Sequence, residues 1–187
     1  MNQEIKSSLI RVLPFLIILI VLLIATKKKK IEVEELYLRK PNSIVNFLFW
    51  AMGFFLFVLC IEFALSHFGI LDVNKWNHPF LPSVIRIFGA VILAPIAEEL
   101  VFRGLILSKL INRKLNIHLA VFIQACVFVL LHNFTYENTL SSNIGIAQSF
   151  VDASLFGYAR LYTRSIYTSI AMHITGNFIA TIERFIL

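Results

Sequence analysis

Length, composition and charge place this chain in a membrane and exclude most soluble functions. The chain has 187 residues, of which 58% are hydrophobic and only 15% are charged, and its mean hydropathy is +0.80. A soluble domain of this size has no use for so much apolar surface, so we expect the lipid bilayer to be its main partner. The net charge of +6 comes mostly from the connections between apolar runs, and no nucleic-acid partner is predicted because no binding motif is visible.

Six apolar runs predict an all-α fold, a polytopic transmembrane bundle of about six spans. A helix of about 20 residues crosses a bilayer, and runs of this kind lie near 9–26, 44–66, 83–107, 117–133, 144–162 and 165–187. Residues 1–75 contain two of these helices with a basic loop, and Glu62 is their only interior polar residue. Residues 82–187 contain nearly all of the candidate chemistry. We therefore predict an N-terminal helix pair attached to a functional core.

Basic residues predict the orientation of the bundle. Four lysines at 27–30 follow the first run directly, and lysine and arginine collect in cytoplasmic loops. The connections at 108–118 and near 160–164 are also basic, whereas those at 67–82 and 133–143 carry only Lys75. The pattern predicts that the basic connections are cytoplasmic and that both termini lie on the other side.

Two adjacent glutamates and an arginine interrupt the third apolar run. Each charge at the centre of a spanning helix costs about 2.5–3.5 kcal/mol, and such residues are functional by default. Residues four apart share a helix face, so Glu99 faces Arg103, whereas Glu98 is rotated away by about 100°. The spacing predicts an internal ion pair between Glu99 and Arg103 and leaves Glu98 for general acid–base work. A structural ion-pair cluster that joins helices is the alternative.

Three further polar residues lie in the following apolar runs. A helical hairpin that turns near Leu115 places His132 at about the height of Glu98 on the neighbouring helix. His173 and Asn177 are four apart and project together from the last run. Each of these residues taken alone could simply bond one helix to another. Taken together, they supply a base, a proton carrier and donors to an oxyanion, which is what amide hydrolysis requires.

A proton-coupled transporter is a weaker interpretation of the same residues. It would use Glu98 and Glu99 as proton sites, but it leaves the histidines and Asn177 unexplained. The chain also shows no internal repeat of the kind that many transporters carry. Hydrolysis of peptide bonds therefore remains the predicted reaction.

The chain resembles the CPBP intramembrane proteases, also called the Abi domain family, which include CAAX prenyl endopeptidases and bacteriocin-associated members. The resemblance covers about residues 82–186. Three family motifs occur in the family's order, and they match Glu98, Glu99 and Arg103 (EExxxR), Phe128 and His132 (FxxxH), and His173 and Asn177 (HxxxN). Ala153 stands where a glycine is common in the family, a departure that still permits close helix packing.

The resemblance implies an intramembrane endopeptidase whose site lies in a cavity that opens toward the cytoplasm. The implied roles are activation of the attacking water by Glu98, assistance by His132, positioning of the helix by Glu99 and Arg103, and stabilisation of the oxyanion by His173 and Asn177. The implied substrate is a membrane-associated peptide or protein, with a bacteriocin or its precursor as one candidate. A chain this short looks bacterial, so we expect a multi-pass protein of the plasma membrane and do not favour prenylated substrates.

Two alternatives to this interpretation remain open. Family members have also been described as metalloproteases, and Glu98, His132 and His173 would supply three ligands to zinc with an open fourth position for water. No HExxH motif is present, and we favour the metal-free glutamate mechanism, which needs no cofactor. The other alternative is a non-catalytic bacteriocin self-immunity or regulatory protein that binds its partner in the same cavity.

Overall fold

The computed structural model describes residues 2–70, 74–132 and 138–186, except for the side chain of His132. In this part of the chain all regular structure is helical, which confirms the predicted all-α fold. The six helices are α1 (Gln3–Lys27), α2 (Ile44–His67), α3 (Phe80–Asn112), α4 (Ile117–His132), α5 (Leu140–Thr163) and α6 (Ile166–Ile186).

The helices differ in how well they suit a bilayer. By length and composition, α1, α2 and α3 can each cross a membrane, while the apolar part of α4, Ile117–Leu131, is shorter. Helices α5 and α6 have 24 and 21 residues, which is long enough, but they carry more polar side chains. About six spans were predicted, and the described part of the chain has six helices, of which three are long apolar candidate spans. The chain is a multi-pass membrane protein.

Helices α1 and α2 turn large apolar side chains outward along most of their length. Such a continuous apolar surface is rare on a soluble monomer but fits the acyl chains of a bilayer. More than a third of the surface of each of these side chains is exposed, among them Leu13, Ile17, Ile20, Leu48, Phe49, Leu56 and Phe63.

The inner faces of α1 and α2 pack into cores that the later helices also form. Phe54 and Val58 of α2 lie in one apolar cluster with Phe156 of α5 and with Met172 and Ile179 of α6. Leu22 of α1 lies in a second cluster with residues of α3 and α6. Burial of a large apolar side chain stabilises the fold by about 1.5–3 kcal/mol, so both N-terminal helices support the helices that carry the candidate site.

The connection between α1 and α2 folds back and closes the basic end of the bundle. A short 3-10 helix, Val33–Leu36, inserts Leu36 so deeply that only 2% of it is exposed. The next residue, Tyr37, accepts a hydrogen bond from the Ile166 backbone N–H at 3.1 Å, and the Arg160 guanidinium lies 3.5 Å from its ring centroid. The connections around residues 28–43, 113–116 and 164–165 therefore meet at one end, as the predicted orientation requires.

The opposite end brings the start of α1 and the end of α6 together with the connection before α3. The Trp76 backbone N–H donates to the Arg184 carbonyl at 2.7 Å, and Arg184 Nε donates to the Asn74 carbonyl at 3.0 Å. His78 Nδ1 lies 3.4 Å from a carboxylate oxygen of Glu4. These contacts tie the ends of α1 and α6 to residues 74–79.

Helix α3 departs twice from the regular α-helical pattern. Two π-helical segments, Phe88–Leu93 and Leu100–Ile106, lie on either side of the α-helical segment Ala94–Glu99. A π segment widens one turn of a helix and is common at functional sites. Both glutamates of the EExxxR motif therefore lie on a short α-helical segment between two widened turns.

Candidate active site

The predicted ion pair between Glu99 and Arg103 is present and fully buried. Arg103 Nη1 lies 2.8 Å from Glu99 Oε1, and neither side chain has any exposed surface. A buried charge is tolerated only when it is paired and hydrogen-bonded. The pair therefore neutralises two of the three charges of the motif inside the bundle.

Arg103 is enclosed by partners from two other helices. Its Nη2 donates to the Ala153 carbonyl of α5 at 3.0 Å. The guanidinium carbon lies 4.8 Å from the ring centroid of Phe128 on α4 and 5.1 Å from that of Phe156 on α5. Cations are attracted to aromatic faces at these distances. This contact explains why a motif on α4 carries Phe128 one helical turn before His132.

His173 lies between the two glutamates. Its Nδ1 is 2.9 Å from Glu99 Oε1, and its Nε2 is 3.6 Å from Glu98 Oε2. The ring stacks on Phe156 with centroids 5.1 Å apart and meets the edge of Phe128 at 6.0 Å. A hydrogen bond from Nδ1 to Glu99 fixes the orientation of the ring and directs Nε2 toward Glu98. The last helix is thereby held against the helix that carries both carboxylates.

Glu98 is the glutamate that reaches open space. Its side chain is 13% exposed and lines a cavity of about 840 Å³, whereas Glu99 has no exposed surface and does not line it. This difference agrees with the helical rotation that separates neighbouring residues by about 100°. Of the two carboxylates, only Glu98 is placed to meet a water molecule and a substrate.

Asn177 completes the hydrogen bonding of the first π segment. The Ala94 N–H donates to the Gly89 carbonyl, five residues back, and Pro95 has no N–H. The Ala90 carbonyl therefore receives neither the α-helical hydrogen bond from residue 94 nor the π-helical one from residue 95. Asn177 Nδ2 donates to this carbonyl at 2.8 Å. An amide group has two N–H donors, so one remains for the cavity that Asn177 also lines.

The cavity runs from the three helices that carry the motifs, α3, α4 and α6, to one end of the bundle. Its inner end is formed by Glu98, Phe128, Phe156 and His173, and its mouth includes Trp76 from the connection before α3. This mouth lies at the end opposite the basic connections. The orientation predicted from charge and the cytoplasmic opening implied by the resemblance therefore contradict each other.

Sequence reasoning assigned no role to Asp152, which lines the same cavity. Its Oδ1 atom is buried and has no hydrogen-bond partner in the described part of the chain. Glu62 also lines the cavity and accepts a hydrogen bond from Gln148 Nε2 at 2.7 Å, which joins α2 to α5. The available signal was an acidic residue within an apolar run, and it did not distinguish a cavity wall from a helix contact.

The zinc alternative depends in part on His132. Glu98 and His173 offer an oxygen and a nitrogen of the kind that zinc binds, and a carboxylate on the far ring nitrogen, here Glu99, is a common support for a metal-bound histidine. The residues therefore suit the ion at two of the three predicted positions. His132 ends α4, but its side chain lies outside the described residues. Among the side chains that are described, no group of three His, Cys, Asp or Glu is placed to hold a metal.

The similarity of the chain to a known protein family extends over all three motifs. A family model described as type II CAAX prenyl endopeptidase, Rce1-like, matches residues 79–179, which is more than half of the chain and includes all three motifs. No curated protein and no solved structure matches the chain. The family match confirms the predicted relationship to the CPBP proteases. The chain belongs to the Rce1-like type II CAAX prenyl endopeptidase family.

Proposed function

We propose that this protein is an intramembrane endopeptidase in which Glu98 activates the attacking water. The observation that carries the proposal is that the two glutamates have different surroundings. Glu99 is held by Arg103 and by His173 Nδ1, whereas Glu98 faces the cavity beside His173 Nε2. The substrate is a peptide bond of a membrane-associated peptide or protein, and the proposed location is the plasma membrane of a bacterium.

In the first step, Glu98 accepts a proton from a water molecule while the water oxygen attacks the scissile carbonyl carbon. The carbonyl oxygen becomes an oxyanion in a tetrahedral intermediate. The proton then passes from Glu98 to the leaving nitrogen, the C–N bond breaks, and a carboxylic acid and an amine leave. General acid–base catalysis of this kind typically contributes about 10²–10⁴-fold. His132 assists this proton transfer.

The oxyanion is stabilised by donors from α6. Asn177 donates one amide hydrogen to the Ala90 carbonyl. Its second amide hydrogen is the proposed donor to the oxyanion. A His173 ring protonated on both nitrogens donates through Nδ1 to Glu99 and presents its Nε2–H as the second donor. Loss of one oxyanion donor commonly lowers kcat by about 10²–10³-fold.

A zinc-dependent reaction is the alternative mechanism, with Glu98, His132 and His173 holding the ion. The bound ion would lower the pKa of its water and supply the nucleophile. The chain's own residues would still orient the peptide and exclude other water. The two mechanisms differ in their response to a chelator.

The proposal is tested by cleavage of a fluorogenic library of membrane peptides with the purified protein in detergent. Wild type is compared with Glu98→Ala and His132→Ala, each with and without a zinc chelator. We expect cleavage that both substitutions abolish and that the chelator leaves intact. Sensitivity of the wild type to the chelator would instead support zinc. A wild type that cleaves nothing but protects cells from a bacteriocin, or binds it, would favour the immunity function.

A further inference from the structure

We propose that Asp152 forms a subsite for a positively charged group of the substrate, a lysine or arginine side chain close to the scissile peptide bond. This inference rests on the proposed function for the presence of a peptide substrate, and it adds a specificity that the three motifs do not encode. Three observations carry it: the position of Asp152 beside the motif residues, its buried oxygen without a donor, and the distribution of charge along the cavity.

Contacts of neighbouring residues place Asp152 at the level of the motifs. The next residue of α5, Ala153, accepts a hydrogen bond from Arg103 Nη2 at 3.0 Å. Phe156 lies one turn after Asp152 on the same helix face, and its ring stacks on His173 with centroids 5.1 Å apart. Asp152, Phe156 and His173 all line the cavity. A peptide held in the site therefore passes Asp152 within a few residues of the reacting bond.

The Asp152 carboxylate lacks a donor for one of its oxygens. Its Oδ1 atom is buried and has no hydrogen-bond partner in the described structure. Gln148, one turn earlier on the same face of α5, donates through Nε2 to Glu62 Oε1 at 2.7 Å instead. A buried acceptor without a donor destabilises the fold, so such a carboxylate in a cavity wall suits a ligand that brings the donor. An ammonium or guanidinium group carries several N–H donors.

Negative charge exceeds positive charge among the described side chains at this level. Glu98 and Asp152 line the cavity, whereas Arg103 does not and is paired with Glu99 at 2.8 Å. Even with His173 protonated, as its proposed role toward the oxyanion requires, these three carboxylates outnumber the two cations. Because charges interact more strongly in a low-dielectric interior than in water, the excess attracts a positively charged group of the substrate.

The arginines that line the cavity lie nearer to its mouth: Arg11, Arg86 and Arg184. Arg86 precedes Glu98 by twelve residues of α3, which is about 18 Å at 1.5 Å per residue. Arg184 follows His173 by eleven residues of α6, or about 16 Å. Val12, the neighbour of Arg11, packs against Gly89, nine residues before Glu98. These arginines are therefore too far along the cavity to form an ion pair with Asp152.

The subsite is tested with peptides that differ in one side chain. The host is a short fluorogenic peptide of alanine and leucine, blocked at both ends, in which a single lysine is moved from position to position. Norleucine, which has a similar length without the charge, and glutamate are placed at the same positions. Wild type, Asp152→Asn and Glu62→Gln are assayed in a neutral detergent. Glu62→Gln is the matched control, because it also removes one carboxylate from the cavity wall.

At the best position, we expect the wild type to cleave the lysine peptide with a kcat/KM about 10–100-fold above that for norleucine, the effect of a hydrogen bond between charged groups. Asp152→Asn should bring this ratio close to one, and Glu62→Gln should keep most of it. The ratio compares two peptides on one protein, so a general loss of activity does not change it. A wild type without a lysine preference at any position, or an equal fall of the ratio in both variants, would overturn the inference.

Peptide binding separates this inference from the proposed function. In Glu98→Gln, fluorescence anisotropy of the labelled peptides reports affinity without the proposed base. We expect tighter binding of the lysine peptide by about tenfold, and loss of this difference when Asp152→Asn is added. A wild type that cleaves neither peptide would contradict the proposed function, while a lysine preference in binding would still support the subsite. Equal rates and equal affinities for both peptides would contradict the subsite alone.

Discussion

Replacement of Arg103 by methionine should destabilise the protein more than replacement of any other buried cation that the structure describes. In the wild type, Arg103 Nη1 lies 2.8 Å from Glu99 Oε1 and both side chains are fully buried. Without the arginine, Glu99 keeps only its contact with His173, since its Oε2 atom has no hydrogen-bond partner in the described residues. Removal of one partner of a buried pair costs about 3–5 kcal/mol, because the other charge is left uncompensated.

Arg160→Met provides the matched control. Arg160 is also fully buried, but its described partners are the Ser108 hydroxyl and the face of Tyr37. This substitution leaves no carboxylate unpaired, so we expect a loss of about 1–3 kcal/mol from one hydrogen bond and one cation–π contact. The two variants thus compare the same change of side chain at the same burial, with and without an orphaned charge.

The assay is equilibrium unfolding in mixed micelles, followed by kinetics on the folded fraction. We expect Arg103→Met to lose about 2 kcal/mol more than Arg160→Met, which is the difference between the midpoints of the two costs above. Because Glu99 orients His173, Arg103→Met should also lower kcat by about 10²-fold, the effect of a displacement of about 1 Å at a reacting centre. Equal stability and equal kcat in the two variants would refute the positioning role of Arg103.

Two further predictions concern contacts within the bundle. Asn177→Leu leaves the Ala90 carbonyl without its side-chain donor, so we expect a loss of about 1–3 kcal/mol in unfolding free energy. A fall of about 10²–10³-fold in kcat with unchanged KM would identify the oxyanion donor, whereas an unchanged kcat would limit Asn177 to supporting α3. Gly89→Ala places a Cβ against Val12 Cγ2 of α1 and should cost about 1–3 kcal/mol by overpacking. Gly53→Ala on α2 has no neighbour within 4 Å of the new Cβ and should stabilise by up to about 1 kcal/mol. Equal midpoints of unfolding for the two glycine variants would contradict this packing.

Features that depend on spacing within one helix were predictable from sequence. The pair of Glu99 and Arg103 follows from a separation of four residues, and the rotation between neighbours directs Glu98 elsewhere. The presence of six helices also follows from the apolar runs, but α1 and α3 extend beyond the predicted 9–26 and 83–107, to Gln3–Lys27 and Phe80–Asn112. The meeting of His173 with both glutamates depends on how α3 packs against α6, and periodicity in one helix does not define that packing.

The two π segments of α3 were not predicted, and neither was the hydrogen bond that one of them requires. Helix α3 is apolar on most sides along these segments, so its hydrophobic pattern does not indicate where a turn is widened. Pro95 was the available signal, because a proline frees carbonyls one turn earlier. Asn177 donates to the carbonyl of Ala90 that is freed in this way. The sequence indicated only that Asn177 shares a helix face with His173.

The connection after α1 also differs from its expected form. A connection rich in charged residues is typical of a solvated loop, yet Leu36, which has charged residues before and after it in the sequence, is only 2% exposed. A single apolar residue among charges has no periodicity to reveal its burial. The docking of this connection closes one end of the bundle, so the direction of the cavity could not be predicted from the motifs.

The central claim is that Glu98 activates water, and the most direct test compares Glu98→Gln with Glu62→Gln. Both glutamates line the cavity, but Glu62 accepts a hydrogen bond from Gln148 and does not contact His173 in the described structure. On a peptide that the wild type cleaves, we expect Glu98→Gln to lose about 10⁴-fold in kcat, as happens when one member of a set of cooperating catalytic residues is removed. We expect the kcat of Glu62→Gln to stay close to that of the wild type. Retention of cleavage by a folded Glu98→Gln, or an equal loss in both variants, would contradict the account.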